Sequence, residues 1–171
     1  MTDETTEKKE IVTEIAAHDT HKIKYRRLAE ANHLVNRRVF WAAGAGLVPI
    51  PLIDFAILLG LQLDMVRVLA NIYNVSFQKD VGKSVVTTLL GSIIPIGLSR
   101  PLARLVKFIP IVGQALGVLS MSITNAASTY AVGKVFIQHF ESGGTLLDLN
   151  PEKMKTYFQE KFDEIKNKSA K

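Results

Sequence analysis

The sequence predicts an all-α protein, and three observations carry that prediction. Apolar residues recur at three- and four-residue steps through most of the chain, the spacing of one helix face. The breaks between those segments carry proline, asparagine and glycine, the residues that start and stop helices. No stretch alternates apolar and polar residues over the length of a strand. The expected arrangement is a helical bundle in which apolar helices turn at proline corners to form hairpins.

Residues 1–10 are charged, Thr-rich and without aromatics, the composition of a disordered acidic tail. Residues 11–38 read as an amphipathic, polybasic helical segment: Ile11, Ile15, Leu28, Ala31, Leu34 and Val35 fall at helical steps, and no proline occurs before Pro49. An apolar helical core domain is expected over 39–149, opening with a run from Val39 to Leu63 whose only charge is Asp54. Proline has no amide proton and clashes with the preceding turn. A helix entering this run should therefore stop near Val48, and a second should begin with Pro51 at its first position. Pro49 and Pro51 are thus a helix corner, and Asp54, in the first turn after it, is the carboxylate that complements the new helix dipole. This second helix should end near Tyr73, with Asn74 as a left-handed cap. A third is expected from about Ser76, broken at Pro95, and then a short amphipathic piece after Ser99 that carries Arg100, Arg104 and Lys107. Pro110 opens a long helix, 110–141, which Gly143 and Gly144 should terminate. Within 150–171, Asn150 as cap and Pro151 at the first position start an amphipathic C-terminal helix, with Met154, Tyr157, Phe158, Phe162 and Ile165 on its apolar side.

Charge is segregated along the chain. Residues 1–21 hold six acids and two bases, a net −4, whereas 22–38 hold six bases and one acid, a net +5 that equals the charge of the whole protein. There is no cysteine, which removes disulfides, thiolate metal sites and cysteine nucleophiles. The first residues show neither a secretory signal nor a transit-peptide pattern, so no N-terminal cleavage is expected. Gly82-Lys83-Ser84 looks like the end of a phosphate-binding loop, but the glycine required five positions earlier is Phe77, and a helix end rather than a strand precedes it. His18 and His21 stand three apart in a charged segment, and His33 and His139 have no carboxylate at a ligand spacing that would make a site. With no nucleophile motif and no paired carboxylates, neither an enzyme nor a cofactor or metal site is expected.

A membrane is the stronger signal. Between Lys107 and Lys134 lie 26 uncharged residues, more than the roughly 20 that cross a bilayer core. Within that run Gly113, Gly117, Ser120, Thr124 and Ser128 follow at three- or four-residue steps, a small-residue seam for close helix packing. The corner at Pro49 and Pro51 divides 39–63 into arms too short to cross, and basic residues bracket each apolar run on both sides. Flanks of one sign favour hairpins that enter and leave by the same, cytoplasmic, face. A true span at 108–133 and a soluble bundle with an apolar central helix pair stay open as alternatives. The polybasic segment supplies the membrane-surface residues Lys22, Lys24, Arg26, Arg27, Arg37 and Arg38, with Trp41 at the headgroup level. Anionic lipid is the expected partner, because each such base near it is worth roughly 1 kcal/mol. Nucleic acid is not expected, since Tyr25 is the only aromatic in the segment and no reading motif follows.

The segments "NRRVFWAAGAGLVPIPLIDFAILLGLQLDMVRVLANIYNVSF" and "YAVGKVFIQHFESGGTLLDLN" contain Arg37-Arg38, Trp41, Gly44, Pro49-Ile50-Pro51, Asp54, Gln62, Met65, Tyr73, Gly133, His139-Phe140 and Gly143-Gly144. On these residues the chain resembles the bacterial YcjF-type helical membrane domain that accompanies small GTPases, domain of unknown function 697. The resemblance covers residues 35–150 and leaves 1–30 outside. It implies an all-α, membrane-associated protein on the cytoplasmic side of a bacterial inner membrane. Without a phosphate loop the chain would be the stand-alone form, with a GTPase as a separate partner. The expected role is that of a non-enzymatic anchor, scaffold or regulator. Two alternatives remain: a homo-oligomeric channel or transporter with Asp54, Gln62 or Asn125 lining its path, and a soluble helical adaptor.

Overall fold

The computed structural model describes the backbone of residues 3–45, 51–93 and 112–169, and the side chains of 13–44, 56–93 and 121–169. Five helices are present among the described residues and no strand: α1 Asp3–Ala45, α2 Pro51–Ile72, α3 Lys79–Gly91, α4 Val112–Glu141 and α5 Pro151–Ser169. The helical pattern seen from Ile11 extends further back than composition suggested. Residues 3–10 belong to α1 rather than to a disordered tail, and the acids Asp3, Glu4 and Glu7 in its first turns suit the positive end of the helix dipole.

Side-chain pairs fix the directions of the helices. Arg38 of α1 bonds Asp64 of α2 while Arg27 lies over the Tyr73 ring, so α1 and α2 run antiparallel. Lys134 meets Asn32 and Glu141 meets Lys24, which sets α4 antiparallel to α1. Gln62 and Tyr73 reach Thr129 and Glu141, so α2 and α4 are parallel. α5 returns along α4, bringing Glu164 to Tyr130. α4 is the centre of the bundle, in contact with the other four helices. Its buried Ala127, Ala131 and Val135 form one stripe, and Val132, Phe136 and Phe140 a second. Two stripes cover most of a helix circumference, as a central helix requires. Ala31, Leu34 and Val35 of α1, Met65, Val66 and Leu69 of α2, Val85, Val86 and Leu89 of α3, and Phe158 and Phe162 of α5 complete the core.

The helix ends follow local chemistry. Asn74 adopts φ 55°, and the amide of Val75 donates to the Ala70 carbonyl at 2.8 Å, the left-handed cap expected after α2. Gly143, at φ 81°, closes α4, and Gly144 donates to the His139 carbonyl at 3.1 Å. Asn150 Oδ1 accepts from the amides of Glu152 and Lys153 at 3.0 and 3.3 Å, capping α5 ahead of Pro151. The start of α3 departs from expectation. Residues 75–78 are not helical, and α3 begins at Lys79 rather than near Ser76. The reason is packing, because Val75 and Phe77 both turn onto the core, an alternation that an extended segment permits. α3 also ends at Gly91, before Pro95, where Ser92 Oγ and the amide of Ile93 bond the carbonyls of Leu89 and Leu90. Pro49, Pro95 and Pro110, and the piece with Arg100, Arg104 and Lys107, lie outside the described residues.

Candidate membrane-facing site

α1 ends, and α2 and α4 begin, at the same end of the bundle. Four large apolar side chains are exposed there: Phe40 (77%) and Trp41 (62%) from α1, Ile57 from α2 and Met121 from α4. The helix registers place all four within about 10 Å of one another along the bundle axis. Exposed Arg37 sits one turn before Trp41 on α1. Residues 46–50 lie outside the described residues, and Pro51 opens α2 with Asp54 in the first turn. The side chain of Asp54 lies outside the described residues. Among the described residues no helix is long and apolar enough to cross a membrane.

The structure divides the basic residues that the sequence grouped with Trp41. Arg37, Arg38 and Trp41 lie at the apolar end, whereas Lys22, Lys24, Arg26 and Arg27 lie some 20–30 Å away along α1. Several of them are already engaged. Arg38 is largely covered and bonds Asp64, 26 residues further along the chain. Arg27 lies 5.7 Å from the centroid of the Tyr73 ring, and Lys24 Nζ is 3.9 Å from Glu141. Lys22, Arg26 and Arg37 are left outward. Ile57 and Met121 escape a reading of the sequence because each is one apolar residue among many; only the register of α1, α2 and α4 brings them to the level of Phe40 and Trp41.

Opposite this end, Tyr73 donates to Glu141 at 2.6 Å and ties α2 to α4. Burial, then the bond and charge of Glu141, hold the Tyr73 hydroxyl well above its usual pKa of 10.0. A raised folded-state value stabilises the fold fully below about pH 10, and that stabilisation is lost as pH rises towards the folded value. Resistance to urea should therefore fall as pH rises above about 10, and Tyr73→Phe should reduce the dependence. Burial raises Tyr130 and Tyr157 too, so part of the dependence should survive in that variant. An identical pH profile in Tyr73→Phe would remove Tyr73 from the explanation.

Between the two ends lies a buried polar layer. Gln62 is fully buried on α2, and its Nε2 donates to Ser128 Oγ and Thr129 Oγ1 at 3.4 and 3.3 Å. Ser128 donates to the carbonyl of Asn125, itself buried. Gln62 and Asn125 thus lie within one chain's core. Of the small-residue seam, Gly113, Gly117 and Ser120 belong to α4 with side chains outside the described residues, Thr124 is half-buried and Ser128 faces α2. α1 and α4 approach closely at Gly133, where a Cβ would stand 2.5 Å from Val35 of α1.

The triplet Gly82-Lys83-Ser84 is helical, inside α3. Gly82 is small because the Phe77 ring covers it, leaving a Cβ 3.2 Å from that ring. His18, His21 and His33 are exposed, and His21 contacts the Tyr25 ring. His139 Nε2 lies 2.8 Å from the Thr145 carbonyl and 3.0 Å from Asp148 Oδ1, closing the turn between α4 and α5. The bonds from His139 and from the Thr145 amide hold the Asp148 carboxyl below its usual pKa. Among the described residues no three His, Asp or Glu side chains are grouped to hold a metal ion.

A relative from Magnetospirillum gryphiswaldense, magnetosome membrane protein 22, is 34% identical over 142 residues, 82% of this chain and 73% of that protein. No solved structure matches the chain. The family model described as domain of unknown function (DUF697) matches residues 12–167, so the match takes in most of the segment 1–30 that the resemblance left outside. Extending through every described helix, it identifies the chain as a member of the DUF697 family.

Proposed function

We propose that the protein is a non-enzymatic, membrane-associated anchor or scaffold whose bundle rests on a bilayer through the end formed by α1, α2 and α4. The exposed apolar side chains Phe40, Trp41, Ile57 and Met121 at this end carry the reading, with exposed Arg37 one turn from Trp41 to meet anionic headgroups. Aromatic rings with an apolar body and a polar edge suit the headgroup boundary, and a base next to them adds charge attraction. The membrane-protein name of the relative from Magnetospirillum supports the same location. The cytoplasmic face of a bacterial inner membrane, and a separate GTPase partner regulated or held there, belong to the proposal through the family resemblance.

Flotation with phosphatidylglycerol-containing and neutral vesicles tests it. Burying an aromatic side chain is worth about 1.5–3 kcal/mol, so Phe40→Ala with Trp41→Ala should lower partitioning tenfold or more on both kinds of vesicle. Arg37→Glu should weaken binding to anionic vesicles alone, and salt should imitate it. Unchanged flotation of the Phe40, Trp41 double variant would overturn the assignment of this end.

A further inference from the structure

α1 carries an arm that contributes nothing to the core, although Lys24 at its inner end meets Glu141. Every described side chain from Thr13 to Arg26 is exposed, and core packing starts only around Leu28 and Ala31. An isolated helix of this length is marginal in water, because most helical stability in proteins comes from packing one face. The arm nevertheless has such a face. Ile11, Ile15, His18, Lys22, Tyr25 and Ala29 follow at alternating four- and three-residue steps, the register of a two-helix seam, and Ile15 and Tyr25 are 57% and 64% exposed.

Charge selects the occupant. Residues 1–21 carry a net −4 and 22–38 a net +5. A second arm laid parallel would set acid against acid and base against base along its whole length. Laid antiparallel, it sets each acidic half on a basic half. We propose that the arm of α1 pairs with the same arm of a second copy, antiparallel about a two-fold axis near His18. About that axis Glu14 stands opposite Lys22, Glu10 in register with Arg26, and Ile11 with Tyr25, each pair occurring twice by symmetry. The surface is separate from the membrane-facing end, so this pairing stands or falls independently of lipid binding.

The absence of native cysteine makes the test direct. In the full-length protein, His18→Cys should form a disulfide-linked dimer under mild oxidation, because residue 18 meets itself across the axis. Ala29→Cys should not, because residue 29 meets the far end of the other arm. Light scattering should report a dimer that weakens with salt. Lys22→Glu with Arg26→Glu should raise the dimer dissociation constant at least tenfold, and adding Glu10→Lys with Glu14→Lys should restore it. Equal cross-linking at both positions would mean parallel arms. A monomer at all salt concentrations, or a charge-reversed double variant that still dimerises as wild type does, would also overturn the proposal.

Discussion

Gly133→Ala should destabilise the bundle by about 1–2 kcal/mol, although alanine in a helix is ordinarily worth about 0.5–1 kcal/mol more than glycine. The sign follows from space. The added methyl would lie 2.5 and 2.7 Å from the two γ-carbons of Val35, deep in the α1–α4 contact, where neither helix backbone can yield without lifting its neighbours. Gly133→Leu should cost more and can prevent folding outright. The companion variant resolves the cause: Val35→Ala alone leaves a cavity, but combined with Gly133→Ala it returns room to the new methyl. The double variant should then be more stable than the sum of the two single losses predicts. Urea titration of the four proteins measures that coupling. Strictly additive losses would show that α1 and α4 do not meet at this point.

Phe136→Ala should cost about 3–5 kcal/mol, the usual range for deleting a fully buried phenylalanine ring. Phe136 is completely buried on the central helix, and its ring leans on Phe140 with centroids 5.8 Å apart. At about 2–4 °C per kcal/mol for a chain of this size, the melting temperature should fall by roughly 6–20 °C. Phe136→Leu keeps most of the volume and should cost well under half as much. Comparable losses for the two variants would mean that the ring's shape rather than its volume is required.

The features that could be read from the sequence are those with local causes. Asn74, Gly143 with Gly144, and Asn150 with Pro151 each act within one turn, and each forms the helix end expected of it. α3 starts late because Val75 and Phe77 are drawn onto a core assembled from distant segments, which local propensity does not contain. The extent of α1 is not legible in the composition of 1–10, which reports few apolar residues and not whether a helix already under way continues through them. Asp64 shows the same limit at the site. Its neighbour Arg67 is visible three positions away, whereas the partner it takes, Arg38, is 26 residues distant. Trp41 beside Arg37 could be picked out because the two are close in sequence. Ile57 and Met121 join them only through helix register.

α1 runs for 43 residues without a break, and at 1.5 Å per residue it is a strut about 65 Å long. A strut transmits position. Whatever grips the arm near His18 is held about 35 Å from Trp41, and a tilt imposed at one point reappears at the other undiminished. Two chains joined antiparallel at their arms would therefore present their apolar ends outward in opposite directions, about 70 Å apart, a spacing suited to bridging facing or sharply curved lipid surfaces.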